Sequence, residues 1–140
     1  MNIQIKPLHP DFQAPRYATA GSAGFDFHAL EAGAAYPGVV TKVSLGCSVA
    51  VPEGAALLLT ARSGHGLKYG AGVPHGYGLI DSDYRGELFM VFVCASSFSW
   101  KKGDRIAQGI VVPVAHCRFD LVAELPPTAR GANGFGSTGA

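Results

Sequence analysis

The sequence carries almost no net charge: 11 Lys and Arg stand against 10 Asp and Glu, a formal charge of +1, and no block of like charge occurs. That excludes a surface that tracks a nucleic-acid backbone or an anionic membrane by long-range attraction, so any anion must be met by locally placed donors. Long hydrophobic runs are missing too. None approaches the roughly 20 residues that cross a bilayer, and residues 1–10 lack the apolar segment of a signal peptide. The expectation is a soluble, unexported, cytoplasmic protein that binds neither nucleic acid nor membrane. Cysteine is sparse: Cys47, Cys94 and Cys117 are odd in number, widely spaced and set in apolar stretches, which reads as buried, reduced thiols rather than disulfides or a metal cluster.

Several catalytic signatures are also missing. His9, His28, His65, His75 and His116 show no H-E-x-x-H spacing and the cysteines no C-x-x-C spacing, which argues against a protein-held zinc ion. There is no P-loop, and no G-x-G-x-x-G opening a helix in a βαβ unit. Ser63 lies in Arg62-Ser63-Gly64 rather than in a G-x-S-x-G elbow, so a serine nucleophile is not indicated. Hydrolysis by an activated water remains.

What is present is Gly (19) and Pro (9) punctuating short apolar runs over 140 residues, the pattern of one all-β domain, a sandwich or barrel. Residues 43–51 place Val43, Leu45, Cys47, Val49 and Val51 in alternation with Lys42, Ser44, Gly46, Ser48 and Ala50, a half-buried strand. Residues 56–59, 88–94 and 106–114 are near-continuous apolar runs, too short for core helices and suited to strands covered on both faces. Cys117, Phe119, Leu121, Ala123 and Leu125 alternate again and predict a last strand before Pro126-Pro127. Residues 63–69, closed by Gly70, are the candidate helix. The expected organisation is a barrel over residues 1–126 and a flexible arm over residues 127–140, the arm rich in glycine and carrying one cation, Arg130, and one large apolar ring, Phe135.

Glycine-flanked polar clusters recur between the strands. The loop Ala20-Gly21-Ser22-Ala23-Gly24-Phe25-Asp26-Phe27 offers a carboxylate that either caps a turn or holds a metal-bound water. Arg62-Ser63-Gly64 supplies a forked cation, a hydroxyl and a flexible amide suited to phosphate oxygens. Gly78-Leu79-Ile80-Asp81-Ser82-Asp83-Tyr84-Arg85-Gly86-Glu87 sets carboxylates, a ring and a cation at the entry to an apolar strand, and is the candidate reacting centre. Gly103-Asp104-Arg105-Ile106-Ala107-Gln108 reads either as a type I hairpin turn or as a presentation of the Gln108 amide to a ligand, since Gln108 is unusually polar for its apolar run. In the arm, Arg130-Gly131-Ala132-Asn133-Gly134-Phe135-Gly136-Ser137-Thr138-Gly139 mixes a cation, a ring and hydroxyls with glycines that let amides approach an anion.

In order and spacing these five segments resemble the five motifs of the trimeric dUTPases, of bacterial and phage type, over nearly the whole chain from about Tyr17 to Gly139. The long strings GLIDSDYRGE and GFGSTG carry most of the likeness. The resemblance implies a jelly-roll-like β-barrel (the dUTPase β-clip) forming a homotrimer with interfacial active sites, the arm of one subunit closing another's site. It implies hydrolysis of dUTP to dUMP and pyrophosphate, which limits uracil in DNA and supplies dUMP. Asp81 would activate the water, and Tyr84 would pack under the deoxyribose and exclude a ribose 2′-hydroxyl. Arg62, Ser63, Gly64 and Gln108 would hold phosphates; Gly78, Ile80 and His75 would line the base and sugar site. Arg130 would reach the γ-phosphate, with Phe135, Gly136 and Ser137 covering the nucleotide. Magnesium would be bound mainly through the triphosphate and waters, Asp26 contacting it indirectly through water.

Two families of alternatives stand beside this. dCTP deaminase shares the fold but uses a glutamate-centred site, against which Asp81-Ser82-Asp83-Tyr84 argues; a nucleotide-binding protein without catalysis is the other. The substrate base itself carries a departure, because His75 stands where related bacterial enzymes place a uracil-reading asparagine. An imidazole offers one donor and one acceptor on opposite edges. Either the hairpin backbone reads uracil alone, or the site admits dCTP or a 5-substituted pyrimidine. Ala61 and Asn133, where the family usually has proline and glycine, bear on local rigidity.

Overall fold

The structure, a computed structural model, describes residues 1–134. Among the described residues the chain forms ten strands and one helix: β1 (Gln4–Pro7), β2 (Arg16–Tyr17), β3 (Phe25–His28), β4 (Gly33–Ala35), β5 (Thr41–Ala50), β6 (Ala55–Ala61), α1 (Ser63–Tyr69), β7 (Gly78–Ile80), β8 (Glu87–Phe92), β9 (Phe98–Trp100) and β10 (Arg105–Pro113). They pair antiparallel in three sheets, ordered β1-β5-β8, β2-β3-β10-β6-β7 and β4-β9. This is a jelly-roll-like β-barrel. The inner faces of the two larger sheets share one core, with Cys47, Leu57, Leu59, Leu88, Met90, Phe92 and Phe27 sealed from solvent. None of the described helices is long and apolar enough to cross a membrane.

The strand and helix expectations over residues 43–114 hold, with refinements. Residues 55–57 are buried on successive positions, as a doubly covered strand requires. In β8, by contrast, Leu88, Met90 and Phe92 face inward while Glu87, Phe89 and Val91 stay half exposed, so this run is covered on one face in the single chain rather than on both. Strand β5 is buried on both faces from Leu45 to Val49, beyond a half-buried pattern, and its register with β8 slips between Ser44 and Ser48. Helix α1 ends at Gly70 in the left-handed conformation, whose N–H reaches the Gly66 and His65 carbonyls. The 101–104 turn is not a type I hairpin turn: it joins strands of different sheets, and Gly103 at its third position has φ +83°, the signature of type II.

The expected strand over residues 117–125 does not form. Phe119, Leu121 and Leu125 are almost wholly exposed, and Cys117 is exposed rather than buried. A period of two stabilises a strand only where a neighbouring edge supplies hydrogen bonds and an apolar face, and within one chain this segment meets neither. The last strand therefore ends at Pro113. Cys47 and Cys94 are buried as expected, and burial, with Glu87 second, pushes the Cys47 thiol up to about 11.

Gly109 lies where β10 passes under the core rings. An added Cβ would meet Phe25 Cε2 and Phe27 Cε2 at 2.9 Å and Leu57 Cδ1 at 3.0 Å. Gly109→Ala is expected to destabilise the fold by about 1–3 kcal/mol through overpacking, read as a lower midpoint in urea unfolding.

His65 lies among Phe98, at 5.2 Å between ring centres, and Tyr69, at 6.2 Å. The Nδ1 atoms of His65 and His28 are buried without a partner. Burial first, and for His65 the Arg62 charge next, holds both imidazoles below the ordinary 6.5. The folded chain thus resists a proton that the unfolded chain accepts, so stability falls as the pH drops below about 6.5. Thermal midpoints taken from pH 7.5 down to 5.5 should fall less steeply in His65→Leu than in the parent; an identical slope would contradict this origin.

Candidate active site

Alternation along β3 turns Phe25 and Phe27 into the core and sets Asp26 and His28 on the opposite face. Asp26 therefore lies within a strand, not in the small-residue loop anticipated from its sequence. Directly across from it stand Arg16 on β2 and Gln108 on β10, and Gln108 in turn faces Thr60 on β6. Residues directly opposite share a face, so a polar row, Arg16-Asp26-Gln108-Thr60, crosses four strands. Arg62 lies two positions beyond Thr60, and Arg105 is opposite His28.

Two guanidiniums close on the one carboxylate. Arg62 Nε donates to Asp26 Oδ1 at 3.0 Å and Arg105 Nη1 to Oδ2 at 3.2 Å. The Asp26 side chain is only 8% exposed, whereas Arg62 and Arg105 are 29% and 51% exposed. A carboxylate so buried is tolerated because each oxygen receives a charge-assisted hydrogen bond. Each arginine gives Asp26 one of its five N–H groups, and the cluster keeps an excess positive charge. The Gly24 end of the small-residue loop packs on the Gln108 amide, where an added Cβ would lie 2.9 Å from Cγ, so this glycine lets the loop close onto the row.

Ser63 and Gly64 follow Arg62 as the exposed first residues of α1. Arg62 is extended, at φ −67° and ψ 144°, and no side chain caps the helix, which leaves first-turn amides and the Ser63 hydroxyl open to an acceptor. Arg62, Ser63, Gly64, Gln108 and Asp26 are thus brought together as an anion-facing platform. Arg105, Arg16 and Thr60 join it. Sequence reasoning quoted Arg105 within Gly103–Gln108 without assigning it a role; the cation inside that turn was the available signal, whereas Arg16 gave none.

Asp81 lies elsewhere. Strand β7 pairs with β6 from Gly78 opposite Leu59 to Ile80 opposite Leu57. The chain thus carries Asp81 toward the Ala56 level, while Arg62 leaves the other end of β6. At about 3.3 Å per residue the two are separated by about 20 Å along the strand. The Asp81 loop is held by its own groups: Tyr84 N–H donates to the Asp81 carbonyl at 3.2 Å, Arg85 Nη1 to the Ser82 and Tyr84 carbonyls at 2.7 and 2.8 Å, and Tyr84 Oη to the Glu87 carbonyl at 3.1 Å. Glu87 is anchored in turn by the Ser44 hydroxyl. Among the described residues the Asp81 carboxylate has no partner, and with Tyr84 it faces solvent. His75 is exposed at the third position of the 73–76 turn, after Pro74 and closed by Gly76 N–H to the Val73 carbonyl at 2.9 Å. Arg130 donates to the Asn133 and Gly134 carbonyls, remote from the platform residues in sequence and exposed. Phe135, Gly136 and Ser137 lie outside the described residues.

Among the described residues no group of three or more His, Cys, Asp and Glu gathers to hold a metal ion. A protein cage for a divalent cation is therefore lacking there, while the platform suits an anion that brings its own cation.

Comparison with known proteins agrees with this arrangement. The dUTPase family model matches residues 11–139. The chain is 44% identical to the deoxyuridine 5'-triphosphate nucleotidohydrolase of Wolinella succinogenes, covering 99% of this chain and 95% of that protein, and 39% identical to that of Helicobacter pylori, covering 99% and 97%. Among solved structures, the Staphylococcus bacteriophage 80alpha dUTPase with dUpNHpp superposes with a TM-score of 0.88 at 25% identity over 99% of both chains. The phage phi11 dUTPase, described with a structural Mg(II) ion, shares the fold at a TM-score of 0.79 and 22% identity, covering 89% of this chain and 98% of that one. With its family match, its relatives and its fold in agreement, this chain belongs to the dUTPase family.

Proposed function

We propose that the chain hydrolyses dUTP to dUMP and pyrophosphate in the cytoplasm, in sites assembled between the subunits of a homotrimer. The observation that carries the reading is the split chemistry of one chain: an arginine-rich platform at one end of β6 and a free carboxylate with its tyrosine at the other. A phosphate platform lacks a base, and Asp81 lacks an anion site, until a second chain brings them together. Membership of the dUTPase family supports the substrate.

In this reading Asp81 orients a water and takes its proton as the oxygen attacks the α-phosphorus in line. The bond from the α-phosphorus to the bridging oxygen breaks, and pyrophosphate leaves with the freed electron pair. Arg62, Ser63, Gly64 and Gln108 hold the phosphate oxygens, and Asp26 keeps Arg62 and Arg105 oriented toward them. Gly78 and Ile80 support the base and sugar beside Tyr84, whose ring excludes a 2′-hydroxyl. The arm, residues 127–140, brings Arg130 to the γ-phosphate and Phe135, Gly136 and Ser137 over the nucleotide. Magnesium, carried by the triphosphate, neutralises charge on the leaving group. Each Asp26 oxygen retains a lone pair for a water of that ion's shell.

The first test is pyrophosphate release with magnesium from dUTP, dCTP, dTTP, 5-substituted analogues and UTP. A kcat/KM highest for dUTP supports the reading; preference for dCTP or a 5-substituted base would place a specificity change at the His75 turn; no turnover at all would leave a binding protein. Asp81→Asn is expected to lower kcat by about 10²–10⁴ with nucleotide binding retained.

Light scattering should give the mass of three chains. Asp81→Asn and Arg62→Gln proteins, each inactive alone, should recover activity when unfolded and refolded together, because mixed trimers contain sites with both intact residues. Absence of recovery, with mixed trimers demonstrated, would place the whole site in one chain.

A further inference from the structure

On the β2 side of Asp26, away from Gln108 and Arg62, a recess of about 360 Å³ is lined by Phe12, Gln13, Ala14, Arg16 and His28. Arg16 stands directly across from Asp26 in the strand ladder, yet both Asp26 oxygens are taken by Arg62 and Arg105. Among the described residues Arg16 meets no carboxylate. The one acid in the neighbouring segment, Asp11, is held by Lys102 and His9. Three guanidiniums, Arg16, Arg62 and Arg105, therefore surround a single buried carboxylate, and the surplus positive charge falls on the recess side at Arg16. The second feature is His28, whose Nδ1 is buried and unpartnered. In one neutral tautomer that nitrogen is an N–H donor with nothing to bind.

We propose that this recess binds a small phosphate-type dianion, orthophosphate or pyrophosphate, between the Arg16 guanidinium and the His28 imidazole. Each feature answers the other. A guanidinium matches the paired oxygens of a tetrahedral anion, and an anion in the recess gives His28 the acceptor it lacks while balancing the charge that Asp26 leaves uncompensated. A surface lysine in place of Arg16 would not need this account; an arginine aligned on an already saturated aspartate does. Because pyrophosphate is the product of the reaction proposed above, occupancy by it would tie this site to turnover, although the charge argument itself does not rest on that reading.

The test is isothermal titration of the full chain with orthophosphate and, separately, with pyrophosphate, each after saturation with dUpNHpp so that the platform at Arg62 is filled. One anion should still bind once per chain, and whichever binds more tightly identifies the occupant. Arg16→Gln should weaken that binding at least tenfold while dUpNHpp binding stays as in the parent. His28→Phe, which keeps a ring in place, should weaken it too and serves if the Arg16 variant fails to fold. Loss of all anion binding under saturating dUpNHpp, or unchanged binding in both variants, would overturn the proposal. A failure of the nucleotide reading is seen separately, as absence of heat from dUpNHpp itself.

Discussion

The Asp26 carboxylate, nearly buried and clamped by Arg62 and Arg105, is the constraint on which the polar face of this barrel depends. It joins β3, the junction of β6 with α1, and the start of β10, three places far apart in the chain. An unpaired carboxylate at that depth would cost several kcal/mol or take up a proton. Two hydrogen-bonded guanidiniums make the ionised form tolerable. In return, the carboxylate fixes two long side chains whose rotamer freedom would otherwise have to be lost on binding an anion. The platform is therefore ordered before any ligand arrives, and the remaining N–H groups of Arg62 and Arg105 stay available.

What lies behind the clamp explains why it tolerates so little variation in its neighbours. Asp26 is flanked by Phe25 and Phe27, which lock β3 into the core, and Gly109 on β10 is small enough to pass against both rings. The Gln108 amide sits between Gly24 and Thr60 on the other face. The same two strands thus carry core packing on one side and the anion-facing row on the other, so the period of two that builds the barrel also sorts its chemistry.

Much of this was legible beforehand. The strands over residues 43–114, the short helix after Arg62 and its glycine cap follow from local periodicity and turn chemistry, and GLIDSDYRGE stood out because no simple turn needs so many functional groups. The site's wiring was less legible. Nothing near Asp26 in the chain announces partners at residues 62 and 105, because only the sheet order β3-β10-β6 brings them within reach. Gly21 to Gly24 suggested a loop, and the loop ends one residue before Asp26 does its work in a strand. Residues 117–125 failed in the opposite way: their alternation is real, but a strand is a property of a pair.

That failure bears on the separation of Asp81 from Arg62. Phe119, Leu121 and Leu125 each forgo about 1.5–3 kcal/mol of possible burial while exposed, in a chain that is 48% hydrophobic and ends its own barrel at Pro113. A single chain leaves two debts at once, an apolar segment without a partner edge and a catalytic carboxylate about 20 Å along β6 from its phosphate platform. Association of identical chains would settle both, since the surface that accepts a neighbour's segment also sets the distance between one chain's platform and the next chain's carboxylate. Within the proposed trimer, burial would then do more than stabilise. It would position the base against the phosphate, and turnover would depend on assembly in a way that no rearrangement inside one barrel could replace, because the β6–β7 pairing holds Asp81 and Arg62 apart.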